Sequence, residues 1–265
     1  MRLVSDTTAL VGMVHVLPLP GSPGWPRGDA PTAMRKILDQ ARADAEALLM
    51  GGCDALIVEN MHDLPYLRGQ APPETVAAMT LATAEVVRLG APTGVQVLAA
   101  ANLEALGVAV AAGASFIRCE AFAYAHVADE GWIDASAGPL LRARAALGAD
   151  VAIWADVKKK HSAHAVTGDL TLADVAHGSA FSGADVLIVT GPATGRPAAP
   201  EDVIAARAAG LPVAVGSGID ADNAARFAEH AQALIVGSSL KLGGDWRMPV
   251  DVERVRALAR AIGRA

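Results

Sequence analysis

Hydrophobic residues in this chain come in short, nearly unbroken runs, each followed by a stretch in which they recur every three or four positions. The first run, Thr8 to Val16, is closed by Leu-Pro-Leu-Pro-Gly, whose prolines end a strand and stiffen the loop after it. A helical pattern then runs from Pro31 to Met50, with Ile37, Leu38, Ala41, Ala45 and Leu48 on one face, and Gly51-Gly52 ends it. The alternation continues with a strand at Asp54 to Asn60 and a helix from Pro73 to about Arg88. Next come a strand at Gly94 to Leu98 and a helix at Asn102 to Ala112, with Asn102 as its expected cap. A strand at Ser115 to Glu120 precedes a helix at Ser136 to Leu147, and a strand at Val151 to Asp156 precedes a helix at Leu170 to Ser182. Val186 to Thr190 leads to a helix at Pro200 to Ala209. Val213 to Val215 leads to a helical pattern opening at Asp220, and Leu234 to Val236 to a last helix at Val252 to Ile262.

Near-continuous apolar strands separated by helices pair in parallel and are buried on both faces. An open doubly wound sheet also alternates in this way, but eight strand–helix units favour closure. The expected fold is α/β, a single (β/α)8 TIM barrel of parallel strands over residues 1–265, with its site at the C-terminal mouth.

Composition narrows the class. With 52% hydrophobic and 19% charged residues the chain fills a large core and is not disordered. A net charge of −6 and the absence of a long Lys/Arg run argue against a nucleic-acid partner. Cys53 and Cys119 each lie in an apolar pattern and are expected as buried thiols in a reducing compartment. No apolar run reaches the ~20 residues of a membrane helix and no charged-then-apolar leader is seen, so a cytoplasmic protein without an integral membrane segment is expected. The alanine- and leucine-rich helical exterior is compatible with a homo-oligomer.

Polar residues gather where strands end. Alternate residues share a face, so Arg118 and Glu120 point one way with Phe116, and Asp156 and Lys158 with Trp154, Lys160 lying beyond. A charge buried in a barrel strand is either functional or part of an internal ion-pair network. We expect Asp156, Lys158, Glu120 and Arg118 to carry chemistry. Lys158 is held cationic by the carboxylate two residues before it and is suited to proton transfer or to a Schiff base. Lys159, of opposite parity, is expected to be solvated or paired outside the mouth. His15, Glu59, Gln96 and Thr190 end other strands and are candidate substrate contacts, although a satisfied core histidine explains His15 as well. Glu59, Glu120 and Asp156 are hard oxygen donors of the kind Mg2+ takes, but their spacing demands no metal. His161-x-x-His164 lacks a third zinc ligand pattern, and His62 and His126 are expected at the surface. No cofactor is predicted.

The clearest binding signal is a pair of turns, Gly216-Ser217-Gly218 and Gly237-Ser238-Ser239, after the last two strands. Adjacent parallel strands bring the turns side by side, where glycine lets backbone approach a ligand and unpaired N–H groups favour an anion. A phosphate is the expected occupant, with Lys241 nearby and Thr190-Gly191 and Thr194-Gly195 as a rim able to close over it, although a plain loop accounts for Thr194-Gly195 equally well.

The segments GMVHVLPLPGSP, DALIVENMHDLPY, GASFIRCEAF, ADEG, DVKKKH, LIVTGPATG, VAVGSGI and LIVGSSLK, in this order from about Val11 to Val255, resemble the BtpA/SgcQ family. The resemblance implies a ribulose-phosphate-binding type of barrel and a phosphate at the two turns. One member is associated with photosystem I biogenesis, and others sit in carbohydrate operons. The chain departs from the family pattern at Ala99-Ala100-Ala101, where many members carry an Arg-Asn-Asp-like run. Two functions follow as expectations: an isomerase, epimerase or lyase acting on a small phosphorylated sugar or related phosphate ester, or a non-catalytic assembly or regulatory factor that keeps a phosphate-binding barrel.

Overall fold

The protein, described as a computed structural model over residues 7–191 and 197–264, is built around one closed sheet of parallel strands. In chain order its elements are β1 (Ala9–His15), α1 (Ala30–Gly51), β2 (Ala55–Glu59), α2 (Pro73–Val87), β3 (Thr93–Gln96), α3 (Asn102–Ala112), β4 (Phe116–Cys119), β5 (His126–Ala128), β6 (Gly131–Ile133) and α4 (Ala137–Ala146). They continue with β7 (Ala152–Asp156), β8 (Ser162–Ala163), α5 (Leu172–Phe181), β9 (Val186–Thr190), α6 (Pro200–Arg207), β10 (Val213–Gly216), α7 (Ala224–Ala228), β11 (Ala233–Val236) and α8 (Val252–Ala261). The barrel closes in the order β1-β11-β10-β9-β7-β4-β3-β2. This is the eight-stranded TIM barrel that the alternation implies.

Register explains why the strands read as continuous apolar runs. Residues of one parity face into the barrel and those of the other face the helices, and both surfaces are dry. The interior cluster is Val11, Met13, Ala55, Ile57, Phe116, Trp154, Ile188, Ala214 and Ile235 with their neighbours, and it is separate from the larger cluster between sheet and helices. Phe116 and Trp154 stack with ring centroids 4.3 Å apart. Gly94 makes room for them, since a Cβ there would overlap the Phe116 ring.

The sequence reading departs from the structure in the loops. An antiparallel sheet, β6-β5-β8, is inserted after β4 and β7. Its strands have two or three residues each, too short for a periodicity to show. His126 on β5 is buried, not superficial. Asn102 does not cap α3: Ala101 occupies the cap position, and the Asn102 amide donates to the Glu120 carbonyl and to Ser136 Oγ. Asp220 accepts the backbone N–H groups of Asp222 and Asn223, but the helix after it is only the five residues of α7. Cys53 and Cys119 are buried free thiols, as expected, and burial raises the pKa of both. Among the described residues no helix is long and apolar enough to cross a membrane.

Lys241 is also relocated. It is 1% exposed, with Nζ 2.6 Å from Asp44 Oδ2 on α1, and Asp44 also accepts the Val250 N–H at 2.9 Å. The pair ties the segment after β11 to α1 and gives Lys241 a structural task away from the turns. Removing one member of a buried pair leaves the other charge uncompensated. Lys241→Met is therefore expected to cost about 3–5 kcal/mol in urea unfolding. Lys241→Met/Asp44→Asn should recover most of that loss; equal destabilisation of single and double variants would show that the pair is not the cause.

Candidate functional site

The inward positions that follow the apolar barrel layer form a polar layer at the mouth. They are His15 on β1, Glu59 on β2, Gln96 on β3, Arg118 on β4, Asp156 on β7, Thr190 on β9, Gly216 on β10 and Gly237 after β11. A cavity of about 460 Å3 opens onto this layer. His15, Glu59 and Arg118 border it, together with Lys160 and with Ser217, Gly218, Gly237, Ser238 and Ser239 of the two turns. The two sequence-predicted groups thus meet in one cavity: the glycine–serine turns and part of the charged set.

Arg118 and Asp156 form a bidentate pair, Nε to Oδ2 at 3.3 Å and Nη2 to Oδ1 at 3.2 Å, with the Asp156 side chain fully buried. Burial opposes the Arg118 charge, but Asp156, Glu59 and Glu120 together outweigh it and raise its pKa. His15 Nδ1 lies 3.1 Å from the Trp246 carbonyl, which can only accept, so Nδ1 carries the proton. Burial, reinforced by Lys241, lowers the His15 pKa to about 3, so the ring is neutral and Nε2 keeps its lone pair. That Nε2 faces Glu59 Oε2 at 3.6 Å, and burial raises the Glu59 pKa against the pull of Arg118. Lys160 moves the other way, lowered first by burial and then by Arg118. Burial thus shifts a carboxyl group and an ammonium group on one cavity toward their neutral forms.

Glu120 stands behind this layer. Its Oε2 accepts the Ala100 N–H at 2.8 Å and lies 3.7 Å from Lys159 Nζ, which also reaches Glu130 Oε2 at 3.2 Å. The alanine segment therefore contributes a backbone donor, with Ala100 in the left-handed region at φ 56°. Gln96 is buried, and its Oε1 has no hydrogen-bond partner among the described residues.

In the lysine run after β7, Lys158 and Lys159 are placed differently from their parity, and Lys160 agrees with its own. Lys158 turns away from the cavity, its Nζ donating to the Leu170 carbonyl at 3.3 Å. Lys159 is buried and ion-paired rather than solvated, and Lys160 borders the cavity. The reason is local: β7 ends at Asp156, the chain bends at Val157 and Lys158, and His161 adopts a positive φ of 55°. Period-two geometry stops where the strand stops. Thr190 Oγ1 donates to the Lys158 carbonyl at 3.0 Å and braces this bend without bordering the cavity. The Thr194-Gly195 rim lies outside the described residues.

The turns themselves differ. Ser217 and Gly218 both have positive φ, 68° and 66°, so this turn needs the left-handed region that glycine enters freely. A Cβ on Gly237 would approach His15 Nε2 to 3.2 Å, whereas one on Gly216 would make only ordinary contacts. Two contributors escaped the sequence reading. Trp246 fixes the His15 tautomer through a backbone carbonyl, which no side-chain pattern reveals. Arg254 borders the cavity from α8 and donates through Nε to the Lys241 carbonyl at 3.1 Å. A cation in the first turn of a helix opposes the macrodipole, and that was a usable signal. Among the described residues no group of three metal-ligating side chains is assembled.

The BtpA family matches residues 6–264, over nearly the whole chain. The chain belongs to the BtpA family. Its relatives include the photosystem I biogenesis protein BtpA of Synechocystis, 40% identical over 256 residues that cover 96% of this chain and 87% of the relative. An uncharacterized mitochondrial protein of Caenorhabditis elegans is 46% identical, covering 96% and 93%. Solved structures share the fold of this BtpA-family chain at low identity. KGPDC from Streptococcus mutans superposes with a TM-score of 0.61 at 14% identity, over 97% of this chain and 98% of the other. N-(5'-phosphoribosyl)anthranilate isomerase from Pyrococcus furiosus gives 0.57 at 13%, over 96% and 98%.

Burial raises the Glu120 pKa from its ordinary 4.5 to about 7, against the attraction of Lys159. The folded protein holds this proton where the unfolded chain releases it, so Glu120 makes stability fall as pH rises from about 4.5 to about 7. Thermal midpoints of wild type and Glu120→Gln across this range should therefore diverge, with the wild type losing relative stability as pH rises. A constant difference would refute the assignment.

Proposed function

We propose that this protein is an enzyme acting on a small phosphorylated sugar or a related phosphate ester by acid–base chemistry, with the phosphate at the two glycine–serine turns. The observation that carries the reading is the single cavity that joins those turns to Glu59, Lys160, Arg118 and His15. A handle site and a proton-carrying site within one enclosure are what an isomerase or epimerase requires.

In this reading one of Glu59 and Lys160 takes a proton from a substrate carbon beside a carbonyl, and the other returns one. Arg118, oriented by Asp156, stabilises the oxyanion that forms between the two steps. Glu120 and Asp156 act as positioning residues, because both are committed to Lys159, Ala100 or Arg118. Lys160, rather than Lys158, is then the lysine able to form a Schiff base if the reaction is a lyase. Names among the structural neighbours, such as thiamine phosphate pyrophosphorylase, lend support only through the shared fold. The second reading, a non-catalytic assembly factor, is favoured by the 40% identity to the Synechocystis biogenesis protein. The buried proton-carrying set favours the enzyme.

Two measurements decide. Calorimetric titration with inorganic phosphate should show binding that Ser238→Asp weakens at least tenfold; phosphate bound elsewhere, with both turns empty, removes the reading. Sugar phosphates incubated with the protein in D2O should gain carbon-bound deuterium by NMR. That exchange should fall at least a hundredfold in Glu59→Gln and in Lys160→Met and persist in Lys158→Met. Phosphate binding without exchange across the panel would favour the assembly factor.

A further inference from the structure

The cavity does not end at the turns. On one side it touches Met13 and Ile235, which belong to the interior of the barrel. On the other it touches Leu240 and Leu258, which belong to the cluster between the sheet and the helices, and Ala257 and Arg254 on the same face of α8. A single space in contact with both clusters crosses the barrel wall, and it crosses where β10 and β11 end, at the two turns.

We infer that the ligand carries its phosphate internally, as a phosphodiester or diphosphate joining two organic groups, one in the barrel mouth and one along α8. This rests on the phosphate reading above and deepens it. A terminal monoester would occupy the mouth and the turns and leave the α8 side empty, whereas the cavity volume of about 460 Å3 falls in the ~300–1,000 Å3 range of sites that enclose larger ligands. The chemistry of the outer half fits a second group. Leu258 and Ala257 offer an apolar face, the carboxylates of Asp220 and Asp222 at the rim suit hydroxyl or amino donors, and Arg254 supplies positive charge beside the turns. A nucleoside-like group has such a flat apolar face and polar edge.

The test compares affinities by calorimetry for inorganic phosphate, ribose 5-phosphate and ADP-ribose, with Ala257→Trp filling the outer half and Ala257→Leu as a milder second variant. ADP-ribose should bind the wild type at least tenfold more tightly than ribose 5-phosphate. Ala257→Trp should bring the two within threefold by weakening ADP-ribose alone, Ala257→Leu should do so in part, and unchanged ribose 5-phosphate binding would show that the variants are folded. Equal affinities in the wild type, or a loss shared by both ligands in both variants, would overturn the inference while inorganic phosphate still bound. Failure of inorganic phosphate to bind would bring down the phosphate reading and this inference together.

Discussion

The constraint on which this structure depends is that a closed parallel barrel has an inside that must be filled. Each strand sends alternate residues inward, and with no water there those residues must pack or pair. The lower positions are met by aliphatic side chains and by the Phe116–Trp154 stack, with Gly94 yielding the space. At the next inward position the chain changes chemistry on nearly every strand, from apolar residues to His15, Glu59, Gln96, Arg118 and Asp156. Burying so many polar groups at one level costs stability, and three of them, His15, Glu59 and Arg118, border the cavity.

The electrostatics of that level are balanced by pairing rather than by solvent. Asp156 takes two donors of Arg118, Lys159 lies between Glu120 and Glu130, and Lys241 is matched by Asp44. His15 is held neutral by burial and by the charge of Lys241, and its bond to the Trp246 carbonyl fixes the tautomer. The pairing network holds its charges still, and the two groups shifted toward their neutral forms, Glu59 and Lys160, border the cavity.

Much of this was legible in the chain. Eight alternating apolar runs and helical patterns gave the barrel, because both signals arise from local periodicity that the tertiary structure preserves. The inward polar layer followed from parity on β3, β4 and β7 and from the strand-end positions of His15 and Glu59 on β1 and β2. Parity failed beyond its support: β7 ends at Asp156, Lys158 turns away and Lys159 is buried in ion pairs, while Lys160 borders the cavity as its parity implied. Lys241 looked like a phosphate ligand by its nearness in sequence to Ser239, but its partner Asp44 is 197 positions away, and no local pattern encodes that contact. The sheet of β5, β6 and β8 was missed because pairing between strands of two or three residues is set by tertiary context rather than by composition.

The turns after β10 and β11 take on a more definite meaning in this frame. As sequence they were glycine-rich loops with an affinity for anions. In the barrel they end β10 and β11, where one cavity touches both the interior cluster and the α8 side. Glycine there serves two ends. At Gly218 it permits a left-handed backbone, and at Gly237 it keeps a Cβ from crowding His15 Nε2. An open backbone at the turns and a clear face for the neutral imidazole therefore depend on the same absence of side chains. A substitution in these turns should accordingly disturb ligand binding and the His15–Glu59 pair together, because they share one small volume.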